Sequence, residues 1–149
     1  MSQRLDIYAA SPSGMKALGG VYGHLTQAGL PHGVVDLVFL RVSLINGCAF
    51  CVDMHSRDLL KGGLSPEKLA LIPVWQEAGA LFTDQEKAAL RWAETVTGVA
   101  GNPIPDAEFA AARQHFSESQ LTDLTIAVGL INAYNFLGVG FRLTPAAAK

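Results

Sequence analysis

The longest uncharged segment of the chain limits which folds are available to it. Eighteen residues without a charged side chain lie between Asp123 and Arg142, which is the lower limit for a helix that spans a bilayer. Asn132, Tyr134 and Asn135 interrupt this segment near its middle, and polar groups are costly in hydrocarbon unless they are paired. The segment therefore predicts a buried or interface helix, and we expect no membrane partner.

The rest of the chain also carries helical patterns and helix boundary signals. The apolar run over residues 34–45 contains β-branched residues, but its length and the absence of any partner strand favour a buried helix. Ser65-Pro66, Thr83–Glu86 and Ser117–Gln120 have the composition of helix starts. We predict a single all-α domain over residues 1–149, with about six to seven helices.

Composition narrows the choice of partners. Charged residues make up 16% of the chain, against about 25% in a typical globular domain. A surface short of charge predicts that other subunits cover part of it, so we expect a homo-oligomer. The net charge is −2 and no basic stripe is present, which argues against nucleic-acid binding. The first residues lack the apolar core of a signal peptide, so a cytoplasmic location is expected.

The chemistry of the chain is concentrated around Cys48. Both cysteines, Cys48 and Cys51, lie with His55 within eight residues, and side chains three and four apart share one face of a helix. A helix start favours the thiolate, and a histidine one turn away can accept a proton. A peroxide would oxidise one thiolate to a sulfenic acid, and the second thiol would then form a disulfide with it. The helix start favours Cys48 as the attacking sulfur, whereas the base favours Cys51, and we expect Cys51 to attack and Cys48 to resolve.

Two other interpretations of the cluster remain open at this stage. Cys48, Cys51 and His55 supply three potential zinc ligands, and a fourth would come from a remote histidine. The candidates for that fourth ligand are His24, His32 and His115. Alternatively, both cysteines are buried and chemically inert.

Asp36 interrupts the apolar run, where a carboxylate is costly to bury without a partner. It could form an ion pair with Arg41, lie on an exposed edge, or orient His55 as acids do in other relays. A continuous helix from residue 36 to residue 48 would be about 18 Å long. Asp36 can therefore act on the cluster only if the chain turns back at Asn46-Gly47 or if the site forms between subunits.

These residues resemble a known family. The stretch Leu-Ile-Asn-Gly-Cys-Ala-Phe-Cys-Val-Asp-Met-His at positions 44–55 resembles the core motif of AhpD-like alkylhydroperoxidases, within the carboxymuconolactone decarboxylase superfamily. Residues 128–142 are similar to the closing helix of that family, and Trp92-Ala93-Glu94 extends the likeness. The resemblance implies an all-α fold, a trimer or hexamer, and thiol peroxidase activity that requires no cofactor or metal.

The resemblance also assigns roles to residues. Cys51 matches the cysteine that becomes a sulfenic acid, Cys48 its partner and His55 the relay histidine. Asp36 stands where the family has the relay glutamate, so the carboxylate is one methylene shorter. Phe50 replaces a histidine of the better-known members. Decarboxylation of muconolactones is not favoured, because members with that activity lack the pair of cysteines.

We therefore expect a peroxidase that reduces organic hydroperoxides or hydrogen peroxide. Cys51, Cys48, His55 and Asp36 are its predicted catalytic residues. The expected reductant is a dithiol protein, either lipoyl-bearing or of the thioredoxin type. The alternative is a non-enzymatic redox sensor, in which the same disulfide switches oligomer packing.

Overall fold

The computed structural model describes residues 2–31 and 33–148, and these residues form helices and no strands. The all-α prediction is confirmed. Within these described residues, eight α-helices follow one another: α1 Ile7–Ala10, α2 Pro12–Leu25, α3 Val34–Asn46, α4 Ala49–Lys61, α5 Pro66–Leu71, α6 Asp84–Thr97, α7 Asp106–Arg113 and α8 Glu118–Gly140. Short 3₁₀ segments occupy Ile72–Glu77, Gly79–Leu81 and Ala146–Ala148.

The helix boundaries follow local sequence signals. The Thr83 and Ser117 side chains each accept a hydrogen bond from the backbone N–H three residues later. In return, the Glu86 and Gln120 side chains accept hydrogen bonds from the backbone N–H groups of Thr83 and Ser117, so both capping boxes are complete. The predicted count of six to seven helices omitted α1. That helix is a single turn, which the Asp6 carboxylate caps, and one turn is too short to show an amphipathic period.

Helix α3 is the central element of the fold. It packs against α4, α6 and α8, and most of its side chains are buried on more than one face. Val38 and Phe39 belong to a core shared with α6 and α8, while Leu37 and Leu40 belong to a second core that includes Trp75. This double burial explains why the run over residues 34–45 is apolar almost throughout, since a helix surrounded by partners needs no polar face.

The chain reverses direction between α3 and α4. Gly47 has a φ of 67°, the left-handed conformation that ends a helix and that glycine adopts without a steric penalty. The backbone N–H of Cys48 then donates to the Ser43 carbonyl at 3.0 Å. The two helices run back along each other, and the Phe39 and His55 rings lie 5.2 Å apart. The chain therefore turns back at Asn46-Gly47, which is one of the two conditions under which Asp36 could act on the cluster.

Buried and half-buried polar groups connect the core helices. The Glu94 carboxylate on α6 accepts hydrogen bonds from Arg41 Nε at 2.6 Å and from Trp75 Nε1 at 2.7 Å. These bonds tie α6 to α3 and to the 3₁₀ segment that follows α5. Glu94, part of the motif quoted from the sequence, thus has a structural role in this fold.

Across the described ranges, no helix has the combination of length and apolarity needed for a bilayer crossing. Helix α8 buries one face in the core, as the sequence predicts for this segment.

Candidate functional site

The candidate site is built around the first turn of α4. Cys48 is the N-cap residue, with extended backbone angles, and its Sγ accepts a hydrogen bond from the Cys51 N–H at 3.4 Å. Serine, threonine or aspartate usually fills this capping position. A sulfur that accepts a backbone N–H at the positive end of a helix is stabilised as a thiolate. Both cysteines are free and buried.

Helix α8 packs closely against the two sulfurs. Gly138 lies directly beside them, because a Cβ built at this position would be 2.5 Å from the Cys48 Sγ and 3.5 Å from the Cys51 Sγ. Only a residue without a side chain allows this approach. One turn earlier on α8, the Asn135 side chain acts as a hydrogen-bond partner that favours the thiolate of both cysteines. The sulfurs therefore lie between the start of α4 and the inner face of α8.

A buried amide network holds that part of α8 against α3. Asn135, which is fully buried, donates to the Ser43 hydroxyl at 3.0 Å and accepts from Asn46 Nδ2 at 3.0 Å. Asn46 Nδ2 also donates to Asn132 Oδ1 at 2.8 Å. The asparagines that interrupt the apolar segment in the sequence are thus paired, and they fix the helix that faces the thiols.

The two thiols share their protons unequally. The Cys51 S–H donates to the Cys48 sulfur and, together with the Cys51 and Phe50 backbone N–H groups, lowers the pKa of Cys48 to about 7, although burial acts in the opposite direction. The same hydrogen bond, burial and the adjacent negative charge raise the pKa of Cys51 above its ordinary value. The pair as a whole therefore releases one proton near neutral pH and retains the other.

His55 lies one turn beyond Cys51 and is neutral at physiological pH. Its side chain is buried, and desolvation lowers its pKa to about 4, despite the opposing charge of Asp58. Neither ring nitrogen has a hydrogen-bond partner among the described protein groups. A neutral imidazole without a competing partner is suited to accept a proton from a thiol or from a bound substrate.

The burial of His55 predicts a pH-dependent loss of stability. The unfolded chain protonates this imidazole below pH 6.5, whereas the folded protein does so only near pH 4, so falling pH favours unfolding. By pH 4.5 this linkage removes about 2.5 kcal/mol from the free energy of unfolding. We expect urea unfolding at pH 7.5 and pH 4.5 to show this loss in the wild type and to lack it in His55→Leu. Equal losses in the two proteins would contradict the assignment.

A cavity of about 300 Å³ opens next to these groups. Cys51 and His55 line it, whereas Cys48 does not. Its walls are mainly aromatic, with Tyr8, Tyr22, Phe39, Phe50 and Tyr134 as the rings that face it. The sulfur of Cys51 is therefore the one of the pair that a small molecule in this cavity can reach.

Asp36 lies in a neighbouring cavity. Together with Asp58 it lines a smaller space of about 180 Å³ at the far end of the hairpin between α3 and α4. Phe39 faces His55, and Asp36 is one turn before Phe39, so Asp36 faces the turn of α4 that follows His55. The structure thus brings Cys48, Cys51 and His55 together, whereas Asp36 lines the neighbouring cavity.

The remote histidines do not join the cysteines. His24 Nε2 is 2.8 Å from Asp123 Oδ1, in a pair that connects α2 to α8, and His115 lines a different cavity with Trp92. His32 lies outside the described residues. Within residues 2–31 and 33–148, no group of three or more potential ligands is arranged to hold a metal ion.

Comparison with known proteins establishes the family. The model of the carboxymuconolactone decarboxylase family matches residues 12–95, which is more than half of the chain. The chain belongs to this family. Its relatives include the uncharacterized protein YdfG of Bacillus subtilis, which is 33% identical over 139 residues, or 93% of this chain and 94% of YdfG. The alkyl hydroperoxide reductase AhpD of Maricaulis maris is 34% identical over 76 residues, or 51% of this chain and 34% of AhpD.

Solved structures of other proteins share the fold described above. A protein of unknown function from Agrobacterium tumefaciens, provisionally assigned to AhpD-type antioxidant defence, superposes with a TM-score of 0.92 at 40% identity, over 97% of this chain and 98% of that one. The debrominase Bmp8 superposes with a TM-score of 0.80 at 16% identity, over 94% and 75% of the two chains, which shows the shared fold alone. The AhpD-like resemblance of the sequence is confirmed.

Three residues of the site were not predicted from the sequence. Gly138 stood in the quoted motif, but its contact with a cysteine 90 positions earlier has no local signal. Asn135 was recognised as polar without a partner being assigned. Asp58 had a signal that could have revealed it, because it lies three residues after His55 and therefore on the same face of α4.

Proposed function

We propose that this family member is a thiol peroxidase that reduces organic hydroperoxides or hydrogen peroxide. The supporting observation is the position of Cys51, a reduced thiol that lines a cavity beside a neutral histidine and has a second thiol within hydrogen-bonding reach. Those are the parts that a two-thiol peroxide reduction needs: an attacking sulfur, a base and a resolving sulfur.

The proposed reaction proceeds in two steps on the protein. His55 accepts the Cys51 proton as the sulfur attacks the outer peroxide oxygen, the O–O bond breaks, and the imidazolium returns the proton to the departing alkoxide. The products are an alcohol and a Cys51 sulfenic acid. The Cys48 thiolate, favoured by its lowered pKa, then attacks the Cys51 sulfur, which forms the disulfide and expels hydroxide, and the hydroxide takes up a proton from solvent to become water.

An external dithiol completes the proposed cycle. A lipoyl-bearing or thioredoxin-type protein would reduce the disulfide by thiol exchange, returning both cysteines to the thiol form. We place this cycle in the cytoplasm, where such dithiols are kept reduced. We also propose self-association as a trimer or hexamer, for which the outer face of α8 offers exposed apolar side chains, Phe136 and Val139 among them.

Asp36 is proposed to support the base from a distance. Asp36→Asn removes a negative charge one turn from His55, so we expect kcat/KM for peroxide to fall about three- to tenfold while Tm changes by less than about 2 °C. Asp106→Asn is the matched control, because Asp106 also lies in the first turn of a helix but is remote from the cavity. Normal activity together with a large loss of Tm would instead assign Asp36 a structural role.

The decisive experiment is a multi-turnover assay. Hydrogen peroxide and an alkyl hydroperoxide are supplied with dihydrolipoamide or reduced thioredoxin, and peroxide consumption per subunit is counted. We expect many equivalents to be consumed with at least one donor. A redox sensor would instead consume one equivalent per subunit and then stop, whichever donor is present.

A further inference from the structure

The wall of the cavity beside Cys51 has an unusual charge pattern. Apart from the neutral His55 and the thiol, its described lining consists of aromatic and aliphatic side chains and one carboxylate, that of Asp58. No lysine or arginine is among those lining residues. Among residues 2–31 and 33–148, no cationic side chain forms an ion pair with the Asp58 carboxylate.

Asp58 stands where a ligand would encounter its charge. The residue is exposed and lines both the cavity of Cys51 and the neighbouring cavity of Asp36, so it occupies the rim between them. Two groups in the cavity respond to it. Burial, followed by the charges of Asp36 and Asp58, raises the pKa of Tyr22, and the charge of Asp58 opposes the lowering of the His55 pKa.

The aromatic lining also affects which kinds of ligand the cavity can bind. On one side of the cavity, the Tyr22 and Phe39 rings pack with their centroids 6.2 Å apart. Tyr8 and Tyr134 are also neighbours, because burial and then Tyr8 raise the pKa of Tyr134. Ring faces favour apolar and cationic groups and offer an anion nothing. The cavity volume of about 300 Å³ is far larger than hydrogen peroxide requires. It lies at the lower end of the volume range of small-molecule binding sites.

We propose that this cavity selects uncharged or cationic hydroperoxides with an aromatic or compact apolar body, and that Asp58 is the residue that rejects anionic ones. The proposal rests on the peroxidase function proposed above and specifies its substrate class. A carboxylate on the substrate would meet the Asp58 charge at the rim and would find no cation on the wall. The Asp58 charge does not repel an uncharged molecule. Its effect is therefore to lower the reactivity of anionic substrates relative to uncharged ones.

The test compares two substrates that differ in charge and little in size. These are cumene hydroperoxide with a para-carboxylate and the methyl ester of the same molecule. In the wild type we expect kcat/KM for the ester to exceed that for the acid by about tenfold or more, and the ratio to shrink in 0.5 M salt, since screening weakens an exposed charge. In Asp58→Asn the ratio is expected to fall below about threefold, through faster use of the acid.

Asp53→Asn is the matched control. Asp53 lies on the same helix, pairs with Arg57 and is not among the cavity-lining residues, so its loss should leave the ester-to-acid ratio unchanged. The proposal is overturned if the wild type uses acid and ester equally well. It is also overturned if the ratio in Asp58→Asn equals that of the wild type, or if Asp53→Asn lowers the ratio as much.

A binding measurement separates this inference from the proposed function. The tertiary alcohols that correspond to the two hydroperoxides bind without any redox chemistry, and their Kd values can be measured by calorimetry or NMR titration. If no hydroperoxide is turned over but the ester alcohol binds at least about tenfold more tightly than its carboxylate, the peroxidase proposal fails and the charge preference stands. If the two alcohols bind equally, or neither binds at millimolar concentration, the charge preference fails whatever the turnover assay shows.

Discussion

Replacing Cys51 by serine is expected to reduce peroxide consumption at least about a thousandfold. The serine hydroxyl is far less nucleophilic than a thiol, and an oxygen at this position can form neither the sulfenic acid nor the disulfide. The substitution is nearly isosteric, so the buried first turn of α4 should keep its packing. Steady-state consumption of an alkyl hydroperoxide with dihydrolipoamide measures the effect, and circular dichroism reports whether the fold is retained.

Cys48→Ser is the informative partner to that variant. If Cys51 attacks and Cys48 resolves, this variant should still consume one equivalent of peroxide per subunit and then stop. The sulfenic acid at Cys51 should then be captured by a dimedone-type trap and located by mass spectrometry. The opposite pattern, with one equivalent consumed by Cys51→Ser and a trapped sulfenic acid at Cys48, would reverse the two roles. That reversal is the outcome that the lowered pKa of Cys48 favours on its own.

The structure favours Cys51 as the attacking sulfur because access to the cavity matters more than the acidity of the thiol. Cys48 ionises more readily, but it is an N-cap sulfur packed against α8 and it does not line the cavity. Cys51 holds its proton more tightly, yet it lines the cavity together with the base. A peroxide bound in the cavity therefore meets the Cys51 thiol and the base together.

How much of this arrangement the sequence could predict depends on the range of the interactions. Capping by Thr83 and Ser117 and the turn at Gly47 were predictable, because the groups involved lie within a few residues of one another. The clustering of Cys51 with His55 was predictable for the same reason, from one turn of helix. The family likeness then supplied the expected chemistry.

Other features depend on how helices align with one another. The sequence allowed Asp36 to orient His55, but the register of α3 against α4 pairs Phe39 with His55. That register places Asp36 opposite the next turn of α4. No local rule fixes that register. The same holds for Asp58, whose significance comes from the aromatic wall that α2 and α8 bring against it.

Gly138→Ala is the prediction that depends most directly on such long-range packing. A Cβ at this position would lie 2.5 Å from the Cys48 Sγ, a distance that real contacts do not show, so either the sulfur or α8 must move. Overpacking of this kind costs about 2 kcal/mol, or roughly 4–8 °C in Tm for a chain of this size. A displaced Cys48 would also lose its hydrogen bond from the Cys51 N–H, and we expect multi-turnover peroxidase activity to fall at least about tenfold.

Gly129→Ala provides the matched control on the same helix. No atom lies within 4 Å of a Cβ built at this exposed position, and alanine favours a helix over glycine by about 1 kcal/mol, so this variant should be slightly more stable than the wild type. Combining Gly138→Ala with Cys48→Ala removes the sulfur from the contact and should restore most of the lost Tm. If the double variant is as unstable as the sum of its parts, the contact between α8 and the Cys48 sulfur does not cause the loss. If instead the stability is recovered, that glycine is the residue by which α8 sets the position of the resolving thiol.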